Sequence, residues 1–157
     1  MISARDKALH YLGRFSRTER QVADYLKRKE FPPSEISETI SYLRESGFLN
    51  DTVFAESFIR SKIIHGDGPI KIKQMLFQKG IASTTSEALL REHYPIELQL
   101  EAAKNLLISR ISKRPGSTPK GSERERFIRF VASRGFPLYV IIQAFKEVAG
   151  NKPGQGR

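Results

Sequence analysis

The 157-residue chain contains no cysteine, which excludes disulfide bonds, zinc knuckles and thiol chemistry and fits a reducing compartment. No apolar run approaches the ~20 residues that a membrane-spanning helix needs. Residues 1–13 mix charged with apolar side chains and lack the order of a signal peptide. We therefore expect a cytoplasmic protein that does not enter a membrane.

Groups that bind metals or catalyse reactions are also sparse. The histidines, His10, His65 and His93, lie far apart in the sequence, whereas a metal site needs several convergent donors. No Gly-x-Ser-x-Gly or His-Glu-x-x-His motif couples a nucleophile to a base. We therefore predict no metal site and no enzymatic activity.

Positive charge is the main compositional signal. The net charge of +10 is high for this length and favours an acidic partner, most often nucleic acid. Residues 1–49 hold nine basic and seven acidic side chains, residues 50–94 hold six and five, and residues 95–157 hold twelve and five. The excess therefore lies in the last third of the chain. The alternative explanation is a charged surface that serves solubility alone.

One residue pattern occurs three times in the chain. Apolar residues recur at four- and three-residue steps on each side of a Lys or Arg corner, which predicts two amphipathic helices joined by a short turn. The three sets in register are Val22, Leu26, Lys29, Phe31, Ile36, Ile40 and Leu43; Ile72, Leu76, Lys79, Ile81, Ser86, Leu90 and His93; and Phe127, Val131, Arg134, Phe136, Ile141, Phe145 and Val148. A repeated pattern of this kind predicts stacked helical modules.

The predicted fold is all-α, with nine helices in three tandem three-helix repeats that form an elongated array, free to curve. We place the repeats at residues 1–49, 50–94 and 95–149. Residues 112–122 form a basic linker within the third repeat, because Pro, Gly, Ser and Lys dominate there. Residues 150–157 lack apolar side chains and are predicted to be a disordered tail.

Several short motifs predict where helices begin. Three Ser/Thr-x-x-Glu motifs, which start at Ser16, Thr84 and Ser122, are typical of capping boxes. Asn50 or Asp51 can cap a further helix with a side-chain oxygen.

Two groups of basic residues are candidates for contacts with DNA phosphates. In the second repeat, two cations end one helix and two begin the next across a Gly-x-Gly-Pro turn, so we expect them to converge on one edge. These four are Arg60, Lys62, Lys71 and Lys73. The group around the linker consists of Arg110, Lys113, Arg114, Lys120, Arg124, Arg126 and Arg129. For both groups the alternative is a solvated charged face.

Phenylalanines are frequent and could stack on bases in a single-strand binder. Their helical spacing favours packing in the core instead. The set comprises Phe31, Phe48, Phe54, Phe58, Phe127, Phe130, Phe136 and Phe145. Phe77 and Tyr139 fall outside the repeated apolar positions and are predicted to be exposed.

Two longer motifs resemble signatures of the RecX family of bacterial recombination regulators. Gly47-Phe48-Leu49-Asn50-Asp51-x-x-Phe54-Ala55 resembles the signature between the first and second repeats of that family. Gly66-x-Gly68-Pro69-x-Lys71-Ile72-x-x-x-Leu76-x-x-Lys79-Gly80-Ile81 resembles the signature of its middle repeat. With the three-repeat layout, the resemblance extends to about Val148. The chain departs from the pattern at the linker and at Glu30, where the other repeats carry glycine, and we expect Glu30 to alter the turn of repeat one.

The resemblance implies a regulator of the RecA recombinase. Such a protein would bind the RecA filament on single-stranded DNA, lodge in its helical groove, and inhibit ATP hydrolysis, filament growth and strand exchange. It would need no cofactor of its own, and we expect a monomer. The alternative is a stand-alone helix-turn-helix-like DNA-binding protein. Against that alternative, the third helices of the first two repeats carry more acidic than basic residues.

Overall fold

The computed structural model describes residues 1–113 and 119–150. These residues form nine α-helices and contain no β-strand, which confirms the all-α prediction. The helices are α1 (Ala4–Leu12), α2 (Glu19–Arg28), α3 (Pro33–Glu45), α4 (Asp51–His65), α5 (Pro69–Gln78), α6 (Ser83–His93), α7 (Ile96–Ser112), α8 (Ser122–Ser133) and α9 (Leu138–Gly150). The predicted tail from residue 151 onward, and residues 114–118 of the predicted linker, lie outside the described residues.

The helices pack in three groups of three, which we call repeat 1 (α1–α3), repeat 2 (α4–α6) and repeat 3 (α7–α9). The core of repeat 1 is a separate cluster that includes Val22, Leu26 and Leu43. Repeats 2 and 3 share one continuous cluster, in which Leu76 and Ile141 both take part. The repeated apolar positions therefore form the core, as their spacing predicts. The residue boundaries that we gave the repeats stay predictions.

The second helix of each repeat ends in the same left-handed turn. Gly80 and Gly135 have φ angles of 89° and 92°, a region that favours glycine. Glu30 occupies the equivalent position in repeat 1 and takes the same conformation, with φ of 63°. The turn of repeat 1 is therefore not altered, contrary to our expectation; Glu30 instead adopts a conformation that costs a residue with a Cβ about 1–2 kcal/mol.

Two of these turns dock on the preceding repeat, where they meet the start of its second helix. At the first junction, the Thr18 hydroxyl donates a hydrogen bond of 2.5 Å to the Lys79 carbonyl. At the second junction, the Gly68 N–H donates to the Arg134 carbonyl at 2.7 Å, and the Ile70 N–H donates to the Gly135 carbonyl at 2.9 Å. The same docking geometry thus joins repeat 2 to repeat 1 and repeat 3 to repeat 2.

Close approach at these junctions demands glycine for a second reason. A Cβ atom on Gly80 would lie 2.5 Å from the Cβ of Arg20, and one on Gly135 would lie 2.6 Å from the backbone nitrogen of Lys71. Both distances are far below van der Waals contact. Glu30 meets no such constraint because its side chain is exposed.

Charged groups reinforce the first junction. The Asp51 carboxylate accepts a hydrogen bond of 3.0 Å from the Glu19 N–H, so a residue of α4 caps the first turn of α2. Burial raises the pKa of Asp51. Two hydrogen bonds from Arg44, at 2.7 and 2.8 Å, hold the Glu19 carboxylate and lower its pKa. Of our two candidates for the α4 cap, Asn50 is the residue that accepts from Val53 within α4.

A buried carboxylate holds the second junction together. Asp67 is 1% exposed, and its Oδ1 lies 2.8 Å from the Lys71 ammonium and 3.8 Å from the Arg134 guanidinium. Arg134 also donates to the His65 carbonyl at 3.1 Å. The Tyr94 hydroxyl donates to the Asp67 carbonyl at 3.2 Å, and burial, with the nearby Asp67 charge, raises the pKa of Tyr94 to about 12. Repeats 2 and 3 are thus joined by charge as well as by apolar contact.

The capping box of α2 lies two residues later in the sequence than we predicted. Thr18 is the N-cap, and its hydroxyl oxygen accepts a hydrogen bond from the Gln21 N–H. In return, the Gln21 side-chain oxygen accepts a hydrogen bond from the Thr18 N–H. Ser16 and Glu19 do not form this box because Glu19 is inside the helix and is bound by Arg44.

The other two predicted capping boxes are also wrong. Helix α6 begins at Ser83 with Ala82 as its cap, and α8 begins at Ser122 with Gly121 as its cap; neither cap makes a side-chain hydrogen bond. Thr84 and Ser122 therefore lie inside their helices.

The docked glycines generate a prediction about stability. Gly47→Ala adds a Cβ at a φ of 77° where no other atom lies within 4 Å, so we expect a loss of about 1–2 kcal/mol from backbone strain alone. Gly80→Ala and Gly135→Ala should each cost about 1–3 kcal/mol more, because their neighbours must move. The free energy of unfolding in urea measures this difference. Equal losses at Gly47 and Gly135 would contradict the docking geometry.

The buried carboxylate generates a second prediction. Asp67→Ala should lower the free energy of unfolding by about 1.5–3 kcal/mol, since it removes the charged acceptor shared by Lys71 and Arg134. The control is Asp24→Ala, which removes an exposed carboxylate 4.0 Å from Arg20 and should cost less than about 1 kcal/mol. If both variants unfold at the same urea concentration, Asp67 does not hold the junction.

Candidate nucleic-acid interface

The four predicted cations of repeat 2 do not form one cluster. Lys71 is held by Asp67, and Lys73 forms an ion pair with Glu87. The hydrogen bond from Lys73 lowers the pKa of Glu87. Because Lys71 and Lys73 are two residues apart on one helix, their side chains leave it in nearly opposite directions. The convergence that we expected from the turn is therefore absent at these two residues.

The other two cations of repeat 2 differ in their surroundings. Arg60 is exposed. The Lys62 ammonium lies 5.4 Å from the centroid of the Phe58 ring, and the Lys79 ammonium lies 5.5 Å from the same ring. Lys62 and Lys79 thus gather at Phe58 through cation–π contact. The sequence pattern assigned Lys79 to the repeated turn and did not identify it as a neighbour of Lys62.

Repeat 3 places three arginines on one side of α8 and one on another. Arg110 of α7 and Arg126 of α8 line the same small pocket, together with Phe127 and the carboxylate residue Glu123. Arg129 follows Arg126 by three residues and is exposed on the same helix face. Arg124 lies 5.3 Å from the Phe145 ring, on a different side of the helix. We call Arg110, Arg126 and Arg129 the repeat-3 basic face.

The remaining candidates lie next to the predicted linker. Lys113 and Lys120 are both exposed. Arg114 lies outside the described residues. Their proposed contacts with DNA therefore stay predictions.

The aromatic residues follow most of our expectations. Phe77 and Tyr139 are exposed, as predicted, and Phe54, Phe127, Phe136 and Phe145 are buried. Phe48 is 56% exposed, contrary to the prediction of core packing. Its neighbour Leu49 is buried instead, because the chain reverses after the left-handed Gly47 and turns Leu49 towards the core.

The structure also forms a stack in repeat 1 that the sequence pattern did not indicate. The rings of Tyr11 and Tyr25 are parallel, with centroids 4.0 Å apart. The Arg17 guanidinium lies 4.7 Å from the Tyr11 ring and 5.5 Å from the Phe15 ring. The Lys29 ammonium lies 5.8 Å from the Tyr25 ring at the other end. We call these five residues, in the order Phe15, Arg17, Tyr11, Tyr25 and Lys29, the repeat-1 ladder.

Residues 1–113 and 119–150 were compared with the requirements of a metal site and of a membrane-spanning helix. No three histidine or acidic side chains of these residues come together in a way that could hold a metal ion. No helix in the same residues has the length and apolar character to span a membrane.

Two family models match this chain. The model of the first three-helix domain of RecX matches residues 4–43, and the model of the second matches residues 50–90. Both matched segments coincide with helical groups of the structure.

Curated relatives give the same result. The chain is 35% identical over 130 residues to the Regulatory protein RecX of Streptococcus gordonii, which covers 82% of this chain and 49% of that protein. It is 33% identical over 144 residues to that of Oceanobacillus iheyensis, covering 89% and 51%, and 35% identical over 145 residues to that of Halalkalibacterium halodurans, covering 90% and 53%. The chain thus spans about half the length of the curated relatives it matches.

Solved structures agree in fold. A crystal structure of RecX from Lactobacillus salivarius superposes with a TM-score of 0.82 at 28% identity, over 92% of this chain and 94% of that one. A second crystal structure of a regulatory protein RecX gives 0.79 at 26% identity, over 91% and 71%. The chain belongs to the RecX family of regulatory proteins.

Proposed function

We propose that this chain modulates the RecA recombinase by binding the RecA filament on single-stranded DNA, in the helical groove of that filament. Binding there inhibits ATP hydrolysis, filament growth and strand exchange. The observation that carries the proposal is membership of the RecX family over both matched three-helix domains.

The charge distribution supports a contact with DNA phosphates. The repeat-3 basic face lies in the third of the chain that holds most of the net positive charge. Arginines that contact phosphates release counterions, which gives a binding energy that is independent of sequence and sensitive to salt. Such a contact suits a protein that binds a filament wherever it forms.

The two groups of candidate cations have different roles in this proposal. The exposed Arg60, Lys113 and Lys120 are available to a phosphate, whereas Lys62 is half-buried and lies over the Phe58 ring. Lys71 and Lys73 already bind carboxylates, so a phosphate would have to displace Asp67 or Glu87. In this proposal Lys71 stabilises the junction between repeats 2 and 3, and Lys73 stabilises repeat 2.

The junctions between repeats support inhibition by bridging. Repeats 2 and 3 share a core, and repeat 1 is fastened to repeat 2 by hydrogen bonds at Thr18 and Asp51. Different repeats held in this way can contact different RecA subunits and restrain their relative movement. The ATP whose hydrolysis is slowed is bound and consumed by RecA, so this chain needs no nucleotide site.

The stand-alone DNA-binding alternative has less support. A recognition helix needs cations free to reach base edges in the major groove. Helix α3 carries Glu35, Glu38 and Glu45, and Arg44 on the same helix is bound to Glu19. The surface of α3 therefore suits protein contact better than base recognition.

The direct test is the single-strand-dependent ATPase of RecA, with this chain added at substoichiometric ratios and DNA in large excess. We expect the rate of ATP hydrolysis to fall. Because DNA is in large excess, sequestration of DNA by this chain would not explain the fall. An unchanged rate, with binding to bare DNA retained, would favour the stand-alone DNA-binding alternative.

The basic face generates a prediction about salt dependence. Arg126→Ala with Arg129→Ala should reduce the slope of log affinity against log salt, measured on single-stranded DNA, by about 0.7 for each phosphate that is no longer neutralised. The control is Arg5→Ala with Arg91→Ala, which removes two exposed arginines from other repeats and the same amount of charge. Equal slopes for the two double variants would show that net charge alone, and not this face, determines binding.

A further inference from the structure

The repeat-1 ladder is a row of contacts between aromatic rings and cations, with the stacked pair Tyr11 and Tyr25 at its centre. Its members come from the end of α1, the loop before α2, and α2 with its C-cap. Arg17 has no ion-pair partner within the part of the chain that the structure describes, and its Nε is shielded from solvent without donating to a protein acceptor. The rings of Tyr11 and Phe15 are therefore the main partners of this guanidinium.

The outer end of the ladder is open to solvent. Phe15 is 69% exposed, the largest exposed fraction among the aromatic rings of residues 1–113 and 119–150. Its position is fixed by the backbone, since the Phe15 N–H donates to the Leu12 carbonyl at 2.9 Å after the turn at Gly13. Thr18 anchors the other end of the loop in the junction with repeat 2. The ring is thus held outward by a short, tethered segment.

Stacking on a base would cover the surface of Phe15 that the fold of the described residues leaves in water. A ladder that only fastened the loop to α1 and α2 would gain stability from burying its last ring, because the gain is proportional to the apolar area removed from water. Phe15 instead leaves most of its surface in water. A free aromatic face beside an unpaired guanidinium is the combination that binds unpaired bases, whose rings stack while their phosphates meet positive charge.

We propose that the repeat-1 ladder is a base-stacking site for single-stranded nucleic acid. A base stacks on the free face of Phe15, and Arg17, with the exposed Arg14 next to Phe15 in the sequence, attracts the adjoining phosphates. The inference rests on the proposed function for the presence of single-stranded DNA, and it assigns to repeat 1 a contact separate from the repeat-3 basic face. Stacking of this kind tolerates any base.

The first experiment uses the absence of tryptophan from the chain. Phe15→Trp places a single fluorescent ring at the open end of the ladder. Titration with oligo(dT), oligo(U) and an abasic strand of the same length should quench its emission with the first two and not with the abasic strand. The dT and U arms distinguish DNA from RNA as the tighter ligand. Phe48→Trp is the control, because Phe48 is also exposed on repeat 1 but lies outside the ladder.

The second experiment measures affinity without a new fluorophore in the chain. Phe15→Ala should bind labelled oligo(dT) about fivefold or more weakly, with unchanged affinity for the abasic strand. Phe48→Ala should bind both strands like the unmodified chain. Because Phe15 is exposed, its loss should leave the thermal midpoint unchanged, which excludes unfolding as the cause.

Three results would overturn the proposal and leave the proposed function intact. They are equal quenching of the Phe15→Trp variant by base-bearing and abasic strands, no quenching at all, and unchanged oligo(dT) affinity of Phe15→Ala. The third result, if Phe15→Ala also loses RecA inhibition, would identify the ring as a protein contact. Failure of the proposed function is measured separately, by the RecA ATPase with the unmodified chain.

Discussion

The arrangement of the three repeats depends on one contact, the docking of a left-handed turn on the start of a helix in the preceding repeat. Gly80 meets Arg20 and Gly135 meets Lys71 at distances that leave no space for a Cβ atom. Backbone carbonyls of these turns accept hydrogen bonds from Thr18 and Gly68. Glycine is favoured at each junction for two reasons, the left-handed backbone conformation and the lack of space for a Cβ atom. The close contact at this glycine determines how neighbouring repeats are positioned.

The junctions also determine which cations remain for a partner. Lys71 and Arg134 approach the buried Asp67, where their positive charge offsets the cost of a carboxylate removed from water. The repeat-3 basic face contributes nothing to these junctions, and Arg110 there rests on the Phe130 ring at 4.3 Å. Part of the net positive charge therefore stabilises the array, and net charge alone does not measure a binding surface.

Periodicity was sufficient to predict the nine helices of the described residues and their core, because positions such as Val22, Ile72 and Val131 recur at helical spacing and all become buried. It could not predict the partners of the basic residues. Arg134 approaches Asp67 only through the junction, and Phe48 is exposed because the neighbouring Leu49 takes the buried position after Gly47. The repeat-1 ladder has no period at all, since a loop and two helices bring its members together. The local sequence pattern therefore predicts which face of a helix is buried, whereas the contacts of individual side chains depend on tertiary packing.

In repeat 1 the repeated turn is exposed, whereas the turns of repeats 2 and 3 dock on the preceding repeat. Lys29, Lys79 and Arg134 occupy the same position in the three repeats, yet Lys79 and Arg134 lie in junctions through their carbonyl groups. The turn at Lys29 and Glu30 is exposed, so Glu30 is tolerated where a docked turn needs glycine. The Lys29 side chain lies over Tyr25 at one end of the ladder, as the Lys79 side chain lies over Phe58 in repeat 2. Lys29 and Lys79 thus each contact an aromatic ring of their own repeat, although only the turn that carries Lys79 is docked.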